Sequence, residues 1–188
     1  MEAFYGGLGA LLVLGVAVLI SYNRFVEQRN LIRNSWSNVE TELQRRYDLI
    51  PNLVESVKGY AAHERHVLER VTEARAAASR DHGSPGHQAA TERRLVAAMR
   101  QLLAVVESYP ALKASHHFLR LQDELVNTED RLAAARRFYN ANVRDLNRRV
   151  QSIPSNLVAS AFGFTEQEYF EVDEVVRRSG PPRVDVTS

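Results

Sequence analysis

No cysteine occurs anywhere in the 188 residues. That absence removes disulfides and thiolate chemistry and suits a reducing compartment. An excess of charge of one sign is also missing. The 24 basic and 23 acidic residues leave a formal charge of +1, and the acids are interleaved with the arginines throughout. No basic stripe stands out that could neutralise a phosphate backbone, so nucleic acid is not an expected partner. Proline and glycine are scarce, at six and nine residues, and they fall where they divide the chain into helices. Strand-like alternation, a Gly-rich phosphate loop and a Gly-x-Ser-x-Gly elbow are all absent, so nucleotide and covalent chemistry have no evident seat.

What is present begins with a local absence of charge. From Ala3 to Tyr22 the chain carries no Asp, Glu, Lys, Arg or His. As a helix this run is about 30 Å long, the thickness of a bilayer's hydrocarbon core. Nine Leu, Ile or Val residues lie between Leu8 and Ile20; at the membrane centre they favour insertion by roughly 3–5 kcal/mol before glycine costs. A cleaved signal peptide fits less well: no basic region precedes the run, the apolar core is long, and no small-x-small cleavage site follows Ile20. Arg24, Arg29 and Arg33 follow the run and no basic side chain precedes it. The positive-inside rule therefore places the N-terminus outside and the main domain in the cytoplasm. Gly6 and Ala10 form a small-x-x-x-small pair that would let two membrane helices approach closely.

From Asn23 to about Arg80, apolar residues recur at steps of three and four, from Phe25 and Ile32 through Tyr47, Ile50 and Leu53 to Leu68 and Val71. Pro51 interrupts this stripe, which predicts either one kinked rod or two nearly continuous helices. Asp81 to His87 reads as the clearest turn. Further helices are expected from about Ala89 to Ser108 and from Leu112 to about Val150, with breaks at Tyr109-Pro110 and Pro154. The expected fold is all-α, an N-terminal transmembrane helix followed by an antiparallel bundle of long helices. Its parts are a membrane anchor over 1–22, a bundle over 23–176 and a disordered tail over 177–188.

Candidate chemistry is sparse. His63-Glu64-Arg65-His66 looks like a zinc motif, but its histidines are three apart where one helix face needs four. None of the six histidines has Glu three residues before it, which disfavours a carboxylate-bridged metal pair. No metal, no cofactor and no enzymatic activity are expected. If the helix continues past Pro51, Asp48, Asn52, Glu55, Gly59, His63 and His66 share a narrow sector opposite the apolar stripe. Solvated surface is the bland reading of that sector. Gly59 argues against it, because glycine costs roughly 1 kcal/mol at an exposed helix position unless another backbone packs across it. Arg45-Arg46 beside Tyr47-Asp48 read either as salt-bridged bundle residues, the favoured option, or as a contact surface. The acids Glu166, Glu168, Glu171, Asp173 and Glu174 around Tyr169 and Phe170 read as a docking segment or as cover for the bundle's end.

Several strings carry a resemblance. They include Trp36, then Arg45-Arg46-Tyr47-Asp48-Leu49-Ile50-Pro51-Asn52-Leu53-Val54-Glu55, and Glu107-Ser108-Tyr109-Pro110. Phe138-Tyr139-Asn140, Pro154-Ser155-Asn156, Phe162-Gly163-Phe164 and Phe170-Glu171 follow in order. Together they resemble the LemA family of bacterial envelope proteins over nearly the whole chain. Departures are small: His116-His117-Phe118 and Val39-Glu40 stand where Asn-Phe and Ile-Asp are usual. The resemblance implies a single-pass membrane protein with a helical-bundle cytoplasmic domain, and it implies no reaction. The resulting expectation is a non-enzymatic scaffold or adaptor on the inner membrane, in contact with the lipid bilayer and forming a homo-oligomer. A monomeric regulator docked on one membrane protein partner, such as a protease or sensor, is the alternative.

Overall fold

The computed structural model describes residues 1–172, apart from the side chains of residues 2, 3 and 10. Six helices follow one another: α1 (Glu2–Lys58), α2 (Arg65–Arg80), α3 (Pro85–Glu107), α4 (Pro110–Lys113), α5 (His116–Gln151) and α6 (Ser155–Phe162). No strand occurs among the described residues. The fold is all-α, with a long apolar N-terminal helix followed by packed antiparallel helices. The expected tail over 177–188 lies outside the described residues, as do Asp173 and Glu174.

The N-terminal part of α1 is long and apolar enough to cross a membrane, and none of that span is buried against the protein. Leu11, Leu12, Val13 and Leu19 are all more than 60% exposed, an arrangement that suits lipid and not water. Gly6 faces open space, and the side chain of Ala10 lies outside the described set.

Two compact units divide the chain. The first combines Met1–Thr41 with Ala134–Phe170. Its core is Phe25, Ile32 and Val39 of α1 against Tyr139, Val143 and Leu146 of α5. Trp36 lies 5.1 Å from the Tyr139 ring and 5.3 Å from that of Phe170. After α6, Gly163 adopts φ 72°, a left-handed cap that favours glycine. This cap turns Phe164 back to stack on Phe25 at 4.8 Å.

The chain then runs extended along α5, and side chains two helical turns apart receive it. Asn147 accepts from the Gln167 N–H and donates to the Gln167 carbonyl, at 2.8 and 2.9 Å. Asn140 does the same for Phe170, at 2.9 and 3.0 Å. Each asparagine amide thereby mimics the edge of a strand, satisfying backbone groups that would otherwise be buried unpaired. Phe170, 1% exposed, completes this core, so the described part of the proposed docking segment covers its own bundle.

The second unit combines Glu42–Ala133 with the chain from Glu171 onward. Leu43, Ile50, Leu53 and Val57 of α1 meet Val71 of α2, Leu95, Met99 and Leu102 of α3, and Leu121 and Leu125 of α5 in its core. Between α2 and α3, Asp81 accepts from the Gly83 N–H and from Thr91, while Ser84 accepts from the His87 N–H and Pro85 opens α3. These are the contacts of a helix stop followed directly by an N-cap and a first-turn proline. Burial raises the Asp81 carboxyl, but bonds from Thr91, Gly83 and His87 outweigh that and hold it below the usual range.

Of the two readings at Pro51 the structure takes the continuous helix, and two helix boundaries need correction. Pro51 neither ends nor divides α1, which continues to Lys58. The break comes later, where Tyr60 and Ala61 both donate to the Val57 carbonyl in a tightened last turn and the chain leaves the helix through Gly59. The long helix expected from Leu112 is also two pieces, α4 and α5.

Candidate functional site

The segment Arg45 to Pro51 holds the densest chemistry in the chain. Leu43, Arg46, Tyr47 and Ile50 recur at spacings of three and four, so the register that buries the aliphatic residues also buries an arginine. Arg46 is 0% exposed while Arg45, one step round the helix, lies open beside Glu42. Buried guanidinium is costly unless its donors are matched by carboxylates. The second unit supplies two: Arg46 donates from Nη1 to Glu129 on α5 at 3.1 Å, and from Nη2 to Glu92 on α3. The Tyr47 hydroxyl donates to the other Glu92 oxygen.

Charges in this network govern one another. Burial works against the Arg46 charge, yet Glu92 and Glu129 outweigh it and hold its pKa above the ordinary value. Burial raises the Glu92 carboxyl against the pull of Arg46 and Tyr47. Tyr47 is pushed up as well, first by burial and then by the neighbouring Glu92. Among the described residues this is the one place where three helices exchange buried charge. Of the two readings of Arg45-Arg46, Arg46 is the salt-bridged bundle residue.

The proline that ends this segment has a second consequence. A helical residue at 51 would donate its N–H to the Tyr47 carbonyl, and proline has none to give. Arg75 of α2 fills the gap, its Nε donating to the Tyr47 oxygen at 3.0 Å. Pro51 is thus tolerated inside α1 because a neighbouring helix supplies the missing donor.

The six residues expected to share one helix sector do not share one helix. Asp48, Asn52 and Glu55 lie on α1, Gly59 and His63 lie in the connection after it, and His66 lies in the first turn of α2. All six are exposed. A Cβ at Gly59 would meet only the Ser56 and Glu55 carbonyls of α1, at 3.7 and 3.9 Å, so no other element among the described residues of this chain packs across it. Its glycine is better explained by its place at the end of a helix. Among the described residues no group of His, Asp or Glu is arranged to hold a metal ion.

Sequence reasoning missed Glu92, Glu129, Arg75 and Asn147. The first two had a legible signal. Glu92 stands at positions −3 and −7 from Leu95 and Met99, and Glu129 stands between Leu125 and Leu132, so both acids occupy apolar registers. Arg75 and Asn147 gave none, because their partners are backbone groups brought close only by folding.

Comparison with known proteins adds to this picture. A model of the LemA family matches residues 35–185. Magnetosome protein MamQ 2 of Paramagnetospirillum magneticum is 28% identical over 200 residues, covering 88% of this chain and 73% of that protein. Magnetosome protein MamQ of Magnetospirillum gryphiswaldense is 28% identical over 178 residues, covering 81% and 65%. Protein LemA of Metamycoplasma hominis is 24% identical over 180 residues, covering 94% and 82%.

Proposed function

The chain belongs to the LemA family, and from that premise we propose that it works as a membrane-anchored, non-enzymatic scaffold or adaptor at the cytoplasmic face of a bacterial membrane, associating with further copies of itself. The observation that carries this reading is the burial of Arg46 with Glu92, Tyr47 and Glu129. A charged cluster of that kind is ordinarily a candidate catalytic centre. Here Arg46 and Glu92 have no exposed surface, so no substrate reaches them, and the cluster serves to lock α1, α3 and α5 in register. The exposed surface of the second unit then becomes the working part, and the apolar run of α1 fixes where it works. Arg24, Arg29 and Arg33 favour the cytoplasmic side. Relatives named as magnetosome proteins are consistent with a part in cellular organisation.

Photocrosslinking in living cells tests this reading, with p-benzoylphenylalanine at the exposed His63 and mass spectrometry of the adducts. Adducts dominated by this same chain are expected. A single dominant foreign adduct would replace self-assembly with a monomeric regulator docked on one membrane protein.

A further inference from the structure

Three features of the first unit converge at the point where α1 leaves its apolar run. The first is α6, which contains no charged residue; Val158 and Ala159 are buried while Leu157 is 69% and Phe162 53% exposed. Ile153, just ahead of it, is 84% exposed. Exposed aliphatic and aromatic side chains clustered within ten residues are out of place in water.

The second is position. Leu157 and Val158 share a groove of about 790 Å³ with Leu14 and Val18 of the membrane-spanning run. Val18 and Leu14 precede the end of that run by four and eight residues, about 6 and 12 Å of helix. A helix beside those residues lies at the depth of the acyl chains and the headgroup boundary. Tyr22, at the run's end, packs its ring on Phe162 at 5.0 Å and on Phe164 at 5.7 Å. Aromatic rings of this kind settle at the membrane–water boundary.

The third is charge. The upper rim of the same groove carries Arg24, Arg148 and Arg149 against one acid, Asp145. Arg149 also lies over the Phe25 ring at 5.7 Å. Neither Arg24 nor Arg148 has an ion-pair partner among the described residues. An apolar floor beneath a net positive rim complements one kind of molecule, a lipid with acyl chains below and a negative phosphate above.

We propose that α6 lies in the membrane surface beside the transmembrane helix, and that the groove between them seats an anionic phospholipid with its phosphate among Arg24, Arg148 and Arg149. The chain is thereby attached at two points, and the second reads the composition of the leaflet. This inference rests on the membrane-anchor part of the reading above and is independent of self-association.

Absence of cysteine makes the test direct. Spin labels are attached at Leu157→Cys or Ile153→Cys in the full chain in vesicles of 70% phosphatidylcholine and 30% phosphatidylglycerol, with Leu12→Cys and Glu55→Cys as references. Labels at 157 and 153 are expected to be reached by oxygen and shielded from a water-soluble nickel complex, as at position 12. If both behave like position 55 while position 12 is shielded, α6 is in water and the proposal is overturned. A water-exposed label at position 12 would instead overturn the anchor itself. For the lipid, protein extracted from vesicles of equal phosphatidylglycerol and phosphatidylcholine is analysed for retained lipid. Phosphatidylglycerol should be enriched at least about fivefold, on the order of one arginine's contribution at an anionic surface. Arg24→Gln with Arg148→Gln should return the ratio to near one while leaving the helical spectrum unchanged. Equal retention of both lipids in the unaltered chain, or displacement of phosphatidylglycerol by millimolar inorganic phosphate, would refute a lipid seat.

Discussion

If Arg75 stands in for the N–H that Pro51 lacks, substitutions at the two positions must be strongly coupled. In the native chain Arg75→Leu leaves the Tyr47 carbonyl without the bond it receives at 3.0 Å. Hydrogen bonds from charged donors contribute about 1.5–3 kcal/mol, and the partial exposure of this one argues for about 1–2. For a chain of this size that lowers Tm by roughly 2–8 °C. Pro51→Ala restores a helical N–H and removes the ring's clash with the preceding turn, so it should stabilise α1 by roughly 1–3 kcal/mol. In the Pro51→Ala background the new N–H already occupies the Tyr47 oxygen, so Arg75→Leu should cost close to nothing. The double-mutant cycle therefore predicts a coupling energy of about 1–2 kcal/mol, well above the ~0.5 kcal/mol expected of independent sites. The assay is urea denaturation of the full chain in detergent micelles, followed by far-ultraviolet circular dichroism, for all four variants. Additive effects would refute the substitution of Arg75 for the missing donor, even if each variant alone shifted stability as expected.

Two further outcomes probe the two units separately. Arg46→Leu leaves Glu92 and Glu129 buried without their cation and should destabilise by about 3–5 kcal/mol, whereas Arg46→Leu combined with Glu92→Leu and Glu129→Leu should recover most of that loss, read by the same denaturation assay. Asn147→Ala removes both bonds to Gln167 and should cost about 1–3 kcal/mol; hydrogen exchange at the Gln167 and Phe170 amides should rise while that of the α5 core stays unchanged.

How much of this was open to a reader of the sequence varied by element. Periodic apolar spacing gave the helical class, and the Asp81–His87 turn announced itself through its Gly, Ser and Pro residues, each of which acts within a few residues of its own position. The candidate sector from Asp48 to His66 failed for the converse reason. Its geometry assumed a helix through Gly59, whereas α1 ends at Lys58; the same helix runs past Pro51, where Arg75, 28 positions from Tyr47, donates to the carbonyl the proline leaves free.

Sequence alone therefore determined the uncharged run from Ala3 to Tyr22, the all-α class and the family, since each follows from composition or from residues adjacent along the chain. Tertiary structure decided which of two neighbouring arginines goes inside. Arg46 is buried because Glu92 and Glu129, 46 and 83 residues away, arrive at its guanidinium. It also decided that Asn140 and Asn147 bind an extended chain, because a side-chain amide can serve solvent or backbone equally well. Periodicity specifies which face of a helix is inward. Only packing specifies what that face meets, and for buried charge the partner determines whether burial is possible at all.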